Sequence, residues 1–252
     1  MGTSSIFTGN NDKKSLLPED YVEQQNDKTQ SVTWKTVKTD MSKYVTSGGK
    51  YGSARHVIQQ DIRANGGTKK MVQQSRAGIR AGLNMGAFFS GVTNDGFEYT
   101  LQKLGNRYEG HSVRDTFSKV VDVIAPDTIT KEDIVAREAT VVALAELYDY
   151  VEENDMDIKS LDHMPKELFD KAMKTFFVEY IWAGVLKDLE SRIEKYMADS
   201  SSACEREQEL KEVVKAVVDV EYDKNGSIID NPLREAVVLL SERCIGVLEG
   251  IV

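Results

Sequence analysis

The chain has 252 residues, 40% hydrophobic and 29% charged, with a formal net charge of −9 and two cysteines. That length buries a sizeable core without disulfide or metal staples, and the composition excludes wholesale disorder. Cys204 and Cys244 stand far apart with no CxxC, Met1 to Gly9 hold only Ile6 and Phe7 as large apolar residues, and no apolar run approaches the roughly 20 residues that cross a bilayer, so the expected compartment is the reducing cytoplasm, with no membrane partner.

Residues 1–30 are rich in Ser, Thr, Asn, Asp, Gln and Gly and show neither helical nor strand periodicity. Such a segment cannot offset its own ordering entropy, and it reads as a flexible N-terminal arm. Within it Leu16, Leu17, Pro18 and Tyr21 form an apolar island suited to docking, because a Pro-led extended segment loses less entropy on binding.

From Ser31 helical spacing sets in. Trp34, Val37, Met41, Tyr44 and Val45 predict a short helix ended by Ser47, Gly48 and Gly49, and Ser53 to Ala64 predicts a second ended by Asn65, Gly66 and Gly67. A longer helix is expected from Thr68 to about Phe89, another from Gly96 to Leu104, and one opened by the cap signature Ser112 to Asp115 and closed by Pro126. Gly78, Gly82, Gly86 and Ser90 fall on one stripe of the third helix. Each interior glycine costs about 1 kcal/mol relative to alanine, so this stripe predicts a closely packed backbone and a deeply buried helix. A phosphate loop is the functional alternative, but no Walker lysine follows.

The second half reads as long amphipathic helices. Thr130 to Asp133 is a capping sequence, followed by an apolar face of Ile134, Ala136, Val141, Val142, Leu144, Ala145, Leu147 and Tyr148. Pro165 starts a helix with Leu168, Phe169, Met173, Phe176, Phe177, Tyr180, Ile181, Val185, Leu186, Leu189 and Ile193 inside. Ala198 to Ala203 reads as a loop, Glu205 to Val220 as a helix, and Pro232 to Leu248 as a last helix capped by Asn231. The expected fold is mainly α: a multi-helix, bundle-like domain with a flexible arm and at most one short β-hairpin, around Asn225 and Gly226. Residues 31–125 and 126–252 differ in character but are expected to form one compact unit.

Catalytic and metal chemistry find no pattern. His56, His111 and His163 lie in separate segments and follow Ser53, Tyr108 and Ser160 by three positions, so Glu-x-x-His pairs are absent, as are HExxH, Cys/His zinc spacing and a GxSxG elbow. Glu221 to Gly226 begins like a calcium loop, but its twelfth position is Pro232, and a turn or hairpin is the better reading. No catalytic residue, metal ligand or cofactor is assigned.

Charge is more informative. Residues 1–125 carry 17 Lys+Arg against 12 Asp+Glu, whereas residues 126–252 carry 15 against 29. The stretch Ile62 to Asn94 holds Arg63, Lys69, Lys70, Arg76 and Arg80 and no acid. These five are the candidate nucleic-acid contacts, with pairing to the acidic half as the competing reading. Gly2 supplies different chemistry: removal of Met1 leaves an unhindered amine with an ordinary pKa of about 7.7 to 8.0. The start fails the myristoylation pattern because its sixth residue is Ile6.

Met1 to Ser5, Leu16 to Pro18, Tyr51 to Arg55, Gly66 and Gly67, Gly78 to Gly82 leading to Phe88 to Gly91, Leu104 and Gly105 with Gly110, and Glu179 to Ile181 before Leu186, Leu189, Ile193 and Glu194 occur in an order that resembles the QatB family of the bacterial four-gene Qat antiphage defence system. The acidic helices after Pro126 match in character only. The resemblance implies a non-enzymatic component of a system that also holds an ATPase, a QueC-like enzyme and a TatD-like nuclease. On that resemblance rests the hypothesis that the Gly2 amine enters the QueC-like partner and becomes amide-linked to a deazapurine, with Thr3, Ser4, Ser5 and Gly9 as a slim polar reach and the helical body as the docking element.

Overall fold

Ten α-helices and one short 3₁₀ turn, with no strand among them, account for the residues described by this computed structural model, which are 32–106, 112–126, 129–196, 200–228 and 231–251. Side chains at 163, 186, 188 and 190–202 fall outside that description, and with them Leu186 and Ile193. The first helices are α1 (Trp34–Thr46), α2 (Ala54–Ala64), α3 (Gly67–Gln74), α4 (Arg76–Asp95) and α5 (Phe97–Lys103). They are followed by α6 (Val113–Ile124), α7 (Lys131–Glu153), a 3₁₀ turn (Ile158–His163), α8 (Lys166–Tyr196), α9 (Ser200–Asn225) and α10 (Leu233–Glu249).

Helix starts follow local chemistry. Ser53, Ser112 and Thr130 each accept a hydrogen bond from the backbone N–H three residues on, and Asp133 closes a full capping box by accepting from the Thr130 N–H at 2.9 Å. At the start of α10 the cap lies one residue later than expected, on Pro232 instead of Asn231. Asn231 bonds instead through its amide to the Ser227 carbonyl at 3.1 Å, which ties down the turn before the helix.

Helix α4 is the packing centre. The close approach predicted from its glycines is made by large side chains, and not by a second backbone. A Cβ on Gly78 would stand 2.1 Å from the Tyr180 ring of α8, one on Gly86 2.5 Å from Leu233 of α10, and one on Gly82 3.2 Å from Phe176. The expected single helix from Thr68 to Phe89 is broken at Ser75, whose ψ of 31° leaves the helical range and whose hydroxyl turns back to the Met71 carbonyl at 2.9 Å. Across the break Tyr180 lies over Gly78 and donates its hydroxyl to Glu132 of α7 at 2.8 Å. Phe88, Phe97 and Phe117 continue the aromatic core on one side of α4, and Phe89 meets Phe169 at 5.3 Å on the other.

Helix α7 corrects the expected apolar face. Ala136, Ala139, Ala143, Leu144, Leu147 and Val151 point inward, while Ile134, Val141, Val142 and Ala145 are exposed. One broad apolar surface is thus two narrow ones, because small alanines let neighbouring helices close in on one side only. Helix α9 is longer at both ends than expected. It begins at Ser200, inside the expected loop, and runs through Asn225, whose side-chain amide bonds to the Glu221 carbonyl at 2.6 Å. Gly226, with φ +71°, then turns the chain, so a helix end stands where the hairpin was expected.

The glycines of α4 and α8 make opposite predictions. Gly78→Ala is expected to lower unfolding stability by about 2 kcal/mol through overpacking against Tyr180. Gly184→Ala, on α8 with no atom within 4 Å of its Cβ position, is expected to raise it by about 1 kcal/mol. Urea denaturation of the two variants beside the parent chain measures both signs.

Candidate functional site

Two of the five basic candidates are engaged inside the fold. From α2, Arg63 donates to the Glu249 carbonyl at 3.4 Å, Gln59 to the same carbonyl at 2.7 Å, and Arg55 to the Val247 carbonyl at 3.3 Å. These side chains stand one turn apart and complete the open carbonyl end of α10, where the helix dipole favours cations. Glu249 in turn caps α3: its Oε2 accepts from the Thr68 N–H at 2.8 Å and the Thr68 hydroxyl at 2.6 Å. Arg80 pairs with Asp133 of the acidic half at 3.0 Å. Lys69, Lys70 and Arg76 are exposed and enter no ion pair among the described residues. Within the stretch Arg63 and Arg80 thus have partners in the fold, while Lys69, Lys70 and Arg76 stand exposed.

The arm residues Gly2, Thr3, Ser4, Ser5, Gly9, Leu16, Leu17 and Pro18 lie outside the described residues, as does His111. His56 is exposed on α2, with Nε2 3.7 Å from Asp40. The acids that mimicked a calcium loop sit on α9 with other partners: Glu221 with Lys224 at 2.7 Å, and Asp223 with Lys174 at 2.6 Å. Among the described residues no three His, Cys, Asp or Glu side chains gather as a metal site requires, and no helix is long and apolar enough to cross a membrane.

The strongly perturbed phenols and thiol are buried contacts between helices. Burial, followed by the carboxylate each donates to, pushes the hydroxyl of Tyr44 up beside Glu209 and that of Tyr222 up beside Asp170. For Tyr180 burial again dominates, and Glu132 adds to it. Burial pushes the Cys244 thiol up to about 12. Asp133 moves the other way, held below the usual carboxylate range by the Thr130 hydroxyl first, then by the Thr130 N–H, with Arg80 adding to the effect.

One surface escaped the sequence reading. Exposed Lys35 and Lys43 occupy the side of α1 turned away from the buried Val37, Met41, Tyr44 and Val45, and half-buried Lys38 lies on its flank. Between the lysines Thr39, Ser42 and Thr46 fold their hydroxyls onto carbonyls of their own helix, each at 2.8 Å. Beside them Asp40, Lys43, Tyr51, Gly52, His56 and Val57 line an open groove. The signal was present, since the lysines take the helical positions left over by the apolar ones, but a search for acid-free runs passes over it because of Asp40.

Residues 66–243 match the family described as QatB, Qat anti-phage system associated protein. The chain belongs to the QatB family. Its role accordingly lies in anti-phage defence, as an associated protein of the Qat system. No curated protein and no solved structure matches it. The QatB match opens at Gly66 and closes at Arg243, so it takes in the glycine stripe, Tyr180 and most of α10, while Gly2, α1 and the Tyr51 loop precede it. Two resemblance motifs distant in the chain meet in this scaffold, where Gly78 carries Tyr180.

Two measurements probe this chemistry. The Asp133 contribution is fully present above the unfolded carboxyl value of 3.8 and is lost as pH falls through the lower folded value. Asp133→Asn is therefore expected to cost stability at neutral pH and to flatten the acid limb of a denaturation series run from neutral to strongly acidic pH. For the thiols, exposed Cys204 is expected to react with Ellman's reagent at neutral pH, whereas buried Cys244 reacts only after denaturant is added.

Proposed function

We propose that this QatB-family chain is a non-enzymatic partner of the QueC-like enzyme of its system and that its Gly2 amine is that enzyme's substrate. Membership of the QatB family supports the reading, because an associated protein of the Qat system is expected to act together with other Qat components. The chain's own contribution is the small residue after Met1, whose removal leaves a primary amine with a usable unprotonated fraction near neutral pH.

The chemistry balances without a redox step. The QueC-like partner activates a deazapurine carboxylate as its acyl-adenylate, with ATP as the source of the AMP group and pyrophosphate released. The Gly2 nitrogen attacks the acyl carbon, the C–N bond forms as the C–O bond to AMP breaks, and the amine loses a proton to solvent. Thr3, Ser4, Ser5 and Gly9 keep the approach narrow and polar, Leu16, Leu17 and Pro18 give the partner an apolar grip, and the helical body docks it. The ATPase and the TatD-like nuclease are the further partners on this reading.

Intact-mass measurement of the chain co-expressed with its QueC-like neighbour tests the proposal. The expected mass lacks Met1 and carries one deazapurine acyl group, localised to Gly2 by peptide fragmentation. Gly2→Pro, which replaces the primary amine by a hindered secondary one, is expected to abolish the addition. An unmodified N-terminus beside a demonstrably active partner overturns the proposal.

A further inference from the structure

We propose that the outer face of α1, together with the loop Gly48–Gly52, binds single-stranded nucleic acid through lysines that track the phosphates and aromatic rings that stack the bases. The surface is distinct from the Ile62 to Asn94 stretch and independent of Gly2 chemistry.

Charge complementarity is the first support. Residues 33–94 carry ten Lys and Arg against two Asp in a chain of net charge −9, so positive charge is concentrated in this part of the molecule. Of the ten, Arg55, Arg63 and Arg80 are held by Val247, Glu249 and Asp133. Lys35, Lys38, Lys43 and Lys50 enter no ion pair among the described residues. The three on α1 span about 12 Å along the helix, at about 1.5 Å per residue. The small hydroxyl residues Thr39, Ser42 and Thr46 fold back onto their own helix, so they leave the face low between the lysines.

Exposed rings are the second support. Tyr51 is 74% exposed and shares a groove with Lys43 and His56, and Trp34 is 36% exposed at the head of the same helix. Tyr51 sits between Gly49 and Gly52, both at positive φ, and its N–H is fixed by the Ser47 hydroxyl at 3.0 Å. No atom lies within 4 Å of the Cβ position of Gly52, so the loop is open beside the ring on that side, while the Arg206 guanidinium stands against Gly49 and donates to the Gly48 carbonyl at 3.4 Å. A tyrosine held this far into solvent adds little to the core. Cationic side chains beside exposed aromatic faces are the elements from which single-strand platforms are built, and each stacked base adds about 1–3 kcal/mol. A duplex keeps its base faces covered and would use the lysines alone.

Fluorescence anisotropy of the full chain with a labelled oligothymidine of about 20 nucleotides, titrated across a salt series, tests the proposal. The parent chain is expected to bind with an affinity that falls steeply with salt. The triple variant Lys35→Gln, Lys38→Gln, Lys43→Gln is expected to bind at least about tenfold more weakly, with a log–log salt slope shallower by about two. Tyr51→Ala is expected to weaken binding about tenfold with the slope unchanged, and Lys69→Gln with Lys70→Gln to leave both quantities in place. Circular dichroism melts confirm that these surface variants stay folded. Absence of salt-dependent binding, tighter binding of a duplex of the same length, or loss of binding in the Lys69/Lys70 variant each overturn the proposal. Equal competition by polyglutamate with Tyr51→Ala unaffected also overturns it, and makes the face a site for acidic protein.

Discussion

The packing around α4 depends on how closely α8 and α10 approach it, and that distance is set by three absent side chains. Gly78 leaves the space that the Tyr180 ring occupies, Gly86 the space for Leu233, and Gly82 the space between Phe176 and Val237. Three glycines inside one helix together cost about 3 kcal/mol of helix propensity. The contacts they admit offset that cost, since Phe176 and Val237 are fully buried and Tyr180 and Leu233 partly so, and a fully buried side chain of this kind contributes about 1.5–3 kcal/mol. Once Tyr180 is seated its hydroxyl reaches Glu132, which places the start of α7 relative to α8. Asp133, the next residue, closes the α7 cap and receives Arg80 from α4. A single close approach thereby positions α4, α7 and α8 together.

The second organising constraint is that helix ends leave unpaired backbone groups, and ten helices have many ends. Remote side chains meet that need repeatedly. Asp162 accepts from the Phe97 N–H at 2.6 Å at the start of α5, and Glu249 accepts from Thr68 at the start of α3. Asn84 and Arg137 donate to the carbonyls of Ile124 and Ala125 at the end of α6, and Arg55, Gln59 and Arg63 serve the end of α10. Much of the polar sequence is therefore tertiary capping. This explains why basic residues that look like a patch in one dimension are in part fixed to carbonyls in three. It also sets apart the α1 lysines, which enter no ion pair and cap no helix end among the described residues.

What was legible in the sequence was local. The Ser53, Ser112 and Thr130 caps depend on side chains within three residues, and the glycine stripe on a period that any helix imposes, so these features could be read without coordinates. The misread features depend on contacts far away in the chain. The break at Ser75 is adjacent to a ring 105 residues later, the split of the α7 face reflects which neighbours crowd its alanines, and α9 extends past Val220 because Tyr222 is held by Asp170 of α8 at 2.7 Å. The hairpin reading at Asn225 and Gly226 failed because asparagine before glycine serves equally well to end a helix. Among the candidate contacts, Arg63 and Arg80 were assigned by charge alone, and only the fold reveals that their partners are a helix terminus and Asp133.

The family match and the free surfaces divide the chain in a way that bears on mechanism. The matched span from Gly66 to Arg243 is dense in residues whose role is packing or capping, which means that a family can be recognised largely by its scaffold. Gly2, the lysine face of α1 and Tyr51 all precede that span. Packing constrains a sequence at every buried position and leaves a strong pattern, whereas a reactive amine needs one small residue and an electrostatic face needs only charge at approximate spacing. On the proposed reading, weak pattern is accordingly what Gly2 and the α1 face leave in the sequence. The interlocked helices meanwhile hold the start of α1, through the buried Val37, Met41, Tyr44 and Val45, at a constant position in the fold.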